Sequence, residues 1–218
     1  MLVLAGLGNP GAGYAGHRHN MGFMAVDAIA SLHRFAPWRK KFQGEMSEGE
    51  IAGTRILLLK PMTYMNLSGQ SVAAALGFYK LGPEALIVFH DEIDIMLGRL
   101  KVKAGGGHGG HNGIRDIMAH VGPDFRRVRL GVGHPGEKAL VHNHVLQEFA
   151  KAERELAAQV IEAVAAETPR LVAGDDSGFM SRVAFLLAPP KPKKEKPVEA
   201  ARAGDTKSEE PSGSEEKK

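Results

Sequence analysis

Residues 86–92 read LIVFHDE, so that four consecutive apolar residues, Leu86 to Phe89, run directly into a histidine and two acids. A short apolar run of this kind predicts a strand buried on both faces. Residues 2–6, LVLAG, form a second such run, which is followed by a glycine-rich turn. Strands of this type are typical of α/β folds, in which ligands bind at the carboxyl ends of the strands.

The spacing of apolar residues elsewhere predicts helices and further strands. Apolar residues at 114, 117, 118 and 121 have the i, i+3, i+4, i+7 spacing of an amphipathic helix. The other predicted strands lie at 56–59, 100–102 and 128–132, and the other predicted helices lie around 23–29, 72–79, 149–164 and 179–187. We expect the long helix of 149–164 to end near Pro169, because proline cannot donate a helical hydrogen bond. The alternation predicts an α/β domain with a sheet between layers of helices.

A change in composition after residue 188 divides the chain into a domain over 1–188, which we expect to fold around one core, and a charged, Pro-rich, disordered tail over 189–218. The tail has eight basic and seven acidic residues, five prolines and one large apolar residue, Val198. Such a segment buries too little apolar surface to offset the entropy lost on ordering it.

The composition excludes several classes of protein. The 218 residues contain no cysteine, which excludes disulfides, thiolate metal ligands and a cysteine nucleophile. The net charge of +3 confines any nucleic-acid surface to local basic patches. No apolar run approaches the roughly 20 residues of a membrane span. The N-terminus also lacks the features of a secretory signal, so we expect a cytoplasmic protein with no membrane association.

Four polar clusters follow predicted strands or open predicted helices. They are residues 8–11 (GNPG), 18–20 (RHN), Asn66 with 90–92 (HDE), and 105–113 (GGGHGGHNG). Gathered at one edge of the sheet, they would supply a general base, a carboxylate to orient it and neutral hydrogen-bond donors. These turns offer no cysteine or serine as a nucleophile, so the pattern favours direct attack by water on an acyl or phosphoryl centre.

Simpler interpretations of each cluster stay open. Residues 8–11 are a good turn sequence, and Asn66 and Asn112 are suitable helix N-caps. The glycine run could hold a phosphate at a helix N-terminus, although it lacks the Lys-Ser/Thr ending of a P-loop and the spacing of a dinucleotide motif. His108 and His111 could hold a metal, although the loop adds no thiolate or carboxylate.

Basic residues flank the glycine run in two pairs. Lys101 and Lys103 lie two apart on the strand that enters it, and Arg127 and Arg129 lie two apart on the next strand, so each pair shares a face. Each pair alone could be a solvated sheet edge. Two pairs beside one glycine-rich pocket favour an anionic substrate.

Six motifs, in this order along the chain, resemble the bacterial peptidyl-tRNA hydrolase family. They are residues 6–11 (GLGNPG) with Tyr14, 18–22 (RHNMG), 61–69 (PMTYMNLSG), 90–94 (HDEID), 105–113 and 129–136 (RLGVGHPG). The resemblance covers about 1–185 and implies a single α/β domain with a mixed, twisted β-sheet wrapped by α-helices. It also implies a monomer that hydrolyses the ester between a peptide and the 3′-terminal ribose of tRNA, without a metal or other cofactor, and so recycles peptidyl-tRNA dropped by ribosomes.

The resemblance also implies roles for individual residues. His19 is the expected general base and Asp91 its partner, and the oxyanion donor is either the side chain of Asn112 or a backbone N–H at the glycine-rich helix start. The residues expected to contact the peptide or the ester are Asn9, Tyr14, Met65, Asn66, His111 and Asn112. The residues expected to contact tRNA are Lys103, Arg129 and Lys138, the first two as a clamp on the 5′-phosphate.

Two other functions stay open. One is an RNA-binding protein of the same fold that has lost catalysis, which ester cleavage by the purified protein would exclude. The other is a metal-dependent hydrolase that uses the histidine-rich loop, which activity surviving exhaustive chelation would exclude. The chain departs from the usual family residues at His17 and in residues 141–146 (VHNHVL), outside the expected catalytic set.

Overall fold

The strand predicted over 86–89 extends to Glu92 and lies next to the central strand of a seven-stranded sheet in the computed structural model of the protein, which describes residues 1–188. The strands are β1 (Leu2–Gly6), β2 (Arg39–Lys41), β3 (Gly44–Ile51), β4 (Thr54–Pro61), β5 (Leu86–Glu92), β6 (Leu100–Ala104) and β7 (Arg126–Gly131). The helices are α1 (Met21–Leu32), α2 (Ser68–Tyr79), α3 (Asn112–Val121), α4 (Val141–Val145), α5 (Lys151–Val172) and α6 (Asp176–Leu186).

The sheet is mixed, as the family resemblance implies. Its order is β2-β3-β4-β1-β5-β7-β6, in which β4, β1, β5 and β7 run parallel, β2 and β3 add an antiparallel edge, and β6 pairs antiparallel with β7 at the other edge. The parallel strands therefore end at one side of the sheet. Residues 8–11 and Asn66 lie in connections on that side, and 90–92 are the last three residues of β5 there.

Helices cover both faces of the sheet, and alternate residues of β1 show why. Leu4 packs with residues of α1, α5 and α6 on one face, whereas Val3 and Ala5 pack with residues of α2 and α3 on the other. Because both faces are buried, the strand is apolar throughout rather than alternating. Within residues 1–188, no helix is both long enough and apolar enough to cross a membrane.

Two strands, β2 and β3, were not predicted from the sequence. The β3 sequence, GEMSEGEI, contains three glutamates and two glycines, which are residue types that strands disfavour. The other residues of the strand are largely buried. Backbone pairing with β4 over eight residues stabilises this strand although its own sequence does not favour one. The three residues of β2 are all exposed, so the sequence carries no burial pattern there.

The long helix ends near Pro169 as predicted, but the proline itself does not end it, because α5 continues to Val172. Proline removes the N–H that would have bonded the carbonyl of Ala165. That carbonyl instead accepts a hydrogen bond from Nε2 of His33 at 2.9 Å, from just beyond α1. The helix therefore continues past a proline because a neighbouring element supplies the missing donor.

Candidate active site

Two histidines flank one buried carboxylate at the carboxyl end of β5. His19 lies in a single 3₁₀ turn, Arg18–Asn20, that precedes α1, and its Nδ1 is 2.8 and 2.9 Å from the two carboxylate oxygens of Asp91. Nε2 of His111, the residue before α3, is 3.0 Å from Oδ1 of the same carboxylate. Three distant parts of the sequence therefore meet at one side chain.

The glycines of the first two motifs allow this approach. A Cβ on Gly22, in the first turn of α1, would lie 2.3 Å from the carbonyl oxygen of Phe89 and 2.4 Å from the backbone nitrogen of Leu7. A Cβ on Gly6 would lie 2.2 Å from the carbonyl oxygen of Gly22. Only glycine lets the start of α1 lie this close to β1 and β5, and this closeness brings His19 to Asp91.

Hydrogen bonds fix the tautomers of both rings. Nδ1 of His111 accepts from the backbone N–H of Ile114 at 3.3 Å as the N-cap of α3, so its proton lies on Nε2 and is donated to Asp91. His19 donates from Nδ1 to Asp91, which leaves Nε2 without a hydrogen. Among the described residues this Nε2 has no hydrogen-bond partner, and the ring lines a cavity. His19 can therefore accept a proton from a molecule in that cavity.

The electrostatics suit proton transfer. Burial favours the neutral form of Asp91, but the two imidazoles outweigh it and hold the pKa of this carboxyl well below its usual range. Burial also lowers the pKa of His19, and the charge and hydrogen bond of Asp91 reverse this effect and raise that pKa above its ordinary value. A carboxylate that stays ionised while it stabilises an imidazolium is what a general base requires.

His90 is a third imidazole that cannot serve as a base. It is buried, its Nδ1–H donates to the carbonyl of Asp91 at 2.7 Å, and its ring packs against that of His111 at 4.7 Å. Burial, followed by the neighbouring His111, lowers the pKa of His90 to about 3. His90 therefore stays neutral and packs against the trio of His19, Asp91 and His111.

The cavity in front of His19 has a volume of about 730 Å³. It brings together most of the expected site residues, namely Asn9, His19, Met65, Asn66, Asp91, His111, Asn112 and Lys138. Tyr14 is not among its lining residues and packs edge-on against His17, with 5.3 Å between ring centroids. Its expected contact with substrate stays a prediction.

Two of the asparagines have their oxygens occupied by protein donors. Oδ1 of Asn9 accepts from the backbone N–H of Met65 at 2.8 Å, and Oδ1 of Asn112 accepts from Nη2 of Arg115 at 2.9 Å. Each amide therefore has its Nδ2 donor available for a substrate oxygen. The helix-cap interpretation of Asn112 is wrong, since His111 caps α3, and that of Asn66 is wrong because Asn66 lies inside a 3₁₀ turn, Met65–Leu67.

Of the two basic pairs on β6 and β7, only Arg127 is buried. Arg127 is 3% exposed and donates to the carbonyls of Gly106, Gly107 and Pro123, so the interpretation of this residue as solvated sheet edge is wrong. These hydrogen bonds hold the glycine loop against β7. The strand register places Lys103 opposite Arg127.

The remaining basic residues are more exposed. Arg129 donates from Nε and Nη2 to the buried carboxylate of Glu92, both at 2.8 Å. Lys103 is exposed, as is Lys101 on the same face of β6. Lys138 lies in a 3₁₀ turn, Lys138–Leu140, at the rim of the cavity. Lys103, Arg129 and Lys138, the three residues expected to contact tRNA, are called the basic edge.

The histidine-rich loop does not form the metal site considered from the sequence. Nδ1 of His108 accepts from the backbone N–H of Gly110 at 3.0 Å. Among the described residues, the group of side chains with metal-ligand spacing is the trio itself, whose ligand atoms lie within 4.8 Å of one another. Both imidazoles already donate to Asp91, so a metal bound there would have to replace these hydrogen bonds.

Several lining residues were not predicted from the sequence. They are Tyr64, Ile93, Arg115, His134, Val141, His142, Val145 and Leu146. Arg115 carried a usable signal, since it lies three residues after Asn112 on one helix face. The α4 residues carried none, because a five-residue helix gives too short a pattern to place against a distant pocket.

Comparisons with known proteins agree with the resemblance drawn from the motifs. Residues 3–195 match the family model described as peptidyl-tRNA hydrolase. A peptidyl-tRNA hydrolase of Agrobacterium fabrum is 55% identical over 93% of this chain and 84% of its own length. One of Mesorhizobium japonicum is 60% identical over 86% of this chain and 78% of its own length.

A solved structure extends the agreement to the fold. The crystal structure of peptidyl-tRNA hydrolase from Acinetobacter baumannii is 42% identical, has a TM-score of 0.80, and the match covers 84% of this chain and 94% of that chain. The sequence, the sheet and the cavity thus lead to the same conclusion. The chain belongs to the peptidyl-tRNA hydrolase family.

Proposed function

We propose that the protein hydrolyses the ester between a peptide and the 3′-terminal ribose of tRNA, with His19 as the general base. The observation that carries this proposal is the geometry of His19, whose Nδ1 is bonded to Asp91 and whose Nε2 is free at the cavity. Nε2 takes a proton from water as the water attacks the ester carbonyl. The imidazolium then returns that proton to the departing ribose oxygen, so His19 ends the cycle unchanged.

Asp91 and His111 act through His19 rather than on the substrate. Asp91 holds the ring of His19 in one tautomer and stabilises its protonated form. His111 fills the remaining position on Asp91, and its other ring nitrogen accepts the N-cap bond from Ile114. Because both ring nitrogens of His111 are occupied, we propose that His111 contacts the substrate only through its ring carbons.

Asn112 is the proposed donor to the oxyanion. Its oxygen is held by Arg115, so its Nδ2 is oriented before the substrate arrives, and the charge of Arg115 polarises the amide. A donor already in place costs no reorganisation when negative charge develops. Asn9, oriented by Met65 in the same way, suits a carbonyl oxygen of the peptide backbone. Contacts of this kind do not depend on peptide sequence.

The basic edge is proposed to hold the tRNA. Lys103 is exposed on β6, Arg129 is partly exposed on the neighbouring strand β7, and Lys138 lies at the rim of the cavity. Ammonium and guanidinium groups bind phosphates without distinguishing bases. Since peptidyl-tRNA arises at ribosomes, the proposal places the protein in the cytoplasm. We also propose that it acts as a monomer, because the cavity and the trio are built from one chain.

The test is release of labelled peptide from peptidyl-tRNA by the purified full chain, with free aminoacyl-tRNA as the comparison substrate. We expect cleavage of the first substrate, little cleavage of the second, and equal rates before and after exhaustive chelation. No cleavage by a folded protein would favour the silent RNA-binding alternative. Loss of activity on chelation, restored by a divalent metal, would favour metal-dependent chemistry at the trio.

A further inference from the structure

We infer that Arg18 is a positioning residue, which fixes α4 as a wall of the substrate cavity and ties it to the turn that carries His19. The inference rests on the proposed function for the meaning of that cavity. Arg18 precedes the base in sequence, and its side chain is only 7% exposed. Arginine is seldom buried without partners, so the contacts of this one show what it supports.

The guanidinium of Arg18 binds the carbonyl end of α4. Nη1 donates to the carbonyl of Glu148 at 2.9 Å and lies 3.3 and 3.4 Å from those of His144 and Gln147. The last carbonyls of a helix lack intrahelical partners, and a cation at that end satisfies them and complements the helix dipole. One side chain therefore binds the end of α4 and two of the three residues that follow it.

Two further contacts hold the guanidinium itself. Nη2 pairs with Oε2 of Glu153 at 2.6 Å, and the group lies over the ring of Phe149, 5.3 Å from its centroid. Oε2 of Glu153 also accepts from the backbone N–H of Ala150 at 2.8 Å, at the start of α5. Arg18 is therefore anchored to the rigid N-terminus of a 22-residue helix rather than to the short helix it supports.

The backbone makes the same connection. The N–H of Arg18 donates to the carbonyl of Gln147 at 3.0 Å, and His17 and Glu148 form an isolated antiparallel bridge. A helix of five residues is too short to be stable without such support. From α4 and the residue after it, Val141, His142, Val145 and Leu146 line the cavity that His19 also lines. The position of this wall and the position of the base therefore depend on one side chain.

The test compares Arg18→Lys with Arg154→Lys in the full chain. Lysine keeps the charge of Arg18 but cannot bind several carbonyls and a carboxylate in one plane. Arg154 is the matched control because it pairs with Glu148 in the same region, with both side chains more than 60% exposed. The measurements are backbone amide exchange over residues 141–149 and steady-state kinetics on peptidyl-tRNA.

In Arg18→Lys we expect amide exchange over 141–149 to accelerate by about tenfold or more, with exchange in β1 and β5 unchanged. We also expect kcat/KM to fall by between about tenfold and a hundredfold, through a higher KM and a lower kcat, because the wall and the base are both misplaced. Arg154→Lys should change neither quantity. Glu153→Gln, which keeps an acceptor for Ala150 but removes the charge that holds Arg18, should shift both in the same direction by less.

Three results would overturn the inference. They are unchanged exchange over 141–149, acceleration spread evenly over the domain, and faster local exchange with unchanged kinetics. If Arg18→Lys does not fold, Glu153→Gln decides by the same criteria. Amide exchange needs no substrate, so a wild-type protein that fails to cleave peptidyl-tRNA would refute the proposed function, while the exchange result would still decide whether Arg18 fixes α4.

Discussion

Polar side chains at the centre of the sheet are buried and hydrogen-bonded, whereas those at its β6 edge are exposed and unpaired among the described residues. At the centre, Asp91 is 2% exposed in its side chain and accepts hydrogen bonds from His19 and His111, so every group has one orientation. At the edge, Lys101 and Lys103 lie exposed on β6 and make no hydrogen bond or ion pair within residues 1–188.

This difference follows from what each region is proposed to do. Proton transfer requires a donor and an acceptor fixed to within a fraction of an ångström, and fixed dipoles are most effective where water is excluded. Phosphate binding gains free energy largely from the release of counterions, which requires charge at the surface but little fixed geometry. We therefore expect substitutions at the centre to reduce kcat and substitutions at the edge to raise KM.

His19→Ala should produce the largest effect. Removal of a general base typically reduces the rate by about 10² to 10⁴-fold, and tRNA affinity should hardly change because the basic edge is untouched. Single-turnover rates and filter-binding affinities on peptidyl-tRNA separate the two quantities. A variant that keeps a tenth of the wild-type rate would show that another group takes the proton.

Asp91→Asn should cost less, at the lower end of that range, about 10²-fold, since the base remains but loses its orienting charge. The substitution should also change the pH profile. The carboxylate raises the pKa of His19 above 6.5, and burial lowers it. Without the carboxylate, the acidic limb of kcat should move from above pH 6.5 to a lower pH. A limb that stays in place would mean that it reports a group other than His19.

The centre and the edge also differ in how far the sequence predicts them. His19 and Asp91 follow buried apolar strands that run parallel, and this pattern places them at one side of the sheet. Asn112 opens a strongly amphipathic helix, but β6 before it runs antiparallel, so the strand pattern alone does not place Asn112 at that side. The edge is harder to predict, because Arg127 and Arg129 alternate on one strand yet only the first is buried beneath the glycine loop. Strand periodicity assigns a face to each side chain but does not show what covers that face.

Contacts with other elements explain the features that the sequence did not predict. The helix α5 continues past Pro169 because His33, more than a hundred residues earlier, bonds the free carbonyl. β3 forms although its sequence is polar, because β4 pairs with it. α4 is placed by Arg18. His33 and Arg18 each lie more than a hundred residues from their partners, outside the local window from which a sequence pattern is derived, so local spacing carries no signal there. β4 instead follows β3 after a two-residue turn, and the polar composition of β3 is what hides this strand.

Lys103→Ala tests the edge and should have a smaller effect than either substitution at the centre. We expect a higher KM for full peptidyl-tRNA with unchanged kcat, and a salt dependence of binding that weakens by roughly 0.7 to 0.9 in log–log slope. A peptide ester on a short 3′ fragment should be cleaved at the wild-type rate. Lys101→Ala, on the same face two residues away, is the matched control, and we expect it to change the slope less. Equal loss on both substrates would place Lys103 in the catalytic cavity.

Removal of residues 189–218 should have the smallest effect, and it tests whether the edge alone holds the tRNA. The segment carries eight basic residues, as many as a modest RNA-binding arm, but seven acidic residues are interspersed among them. Nearly balanced charge attracts phosphates weakly, and five prolines with one large apolar residue give no basis for packing on the domain. We therefore expect the shortened chain to keep the wild-type KM and salt slope and to melt within about 2 °C of the full chain.

Thermal melting and KM at two salt concentrations distinguish the alternatives. A lower Tm with unchanged KM would show that the segment packs on residues 1–188, whereas a weaker salt slope with unchanged Tm would show that the segment shares in holding the tRNA.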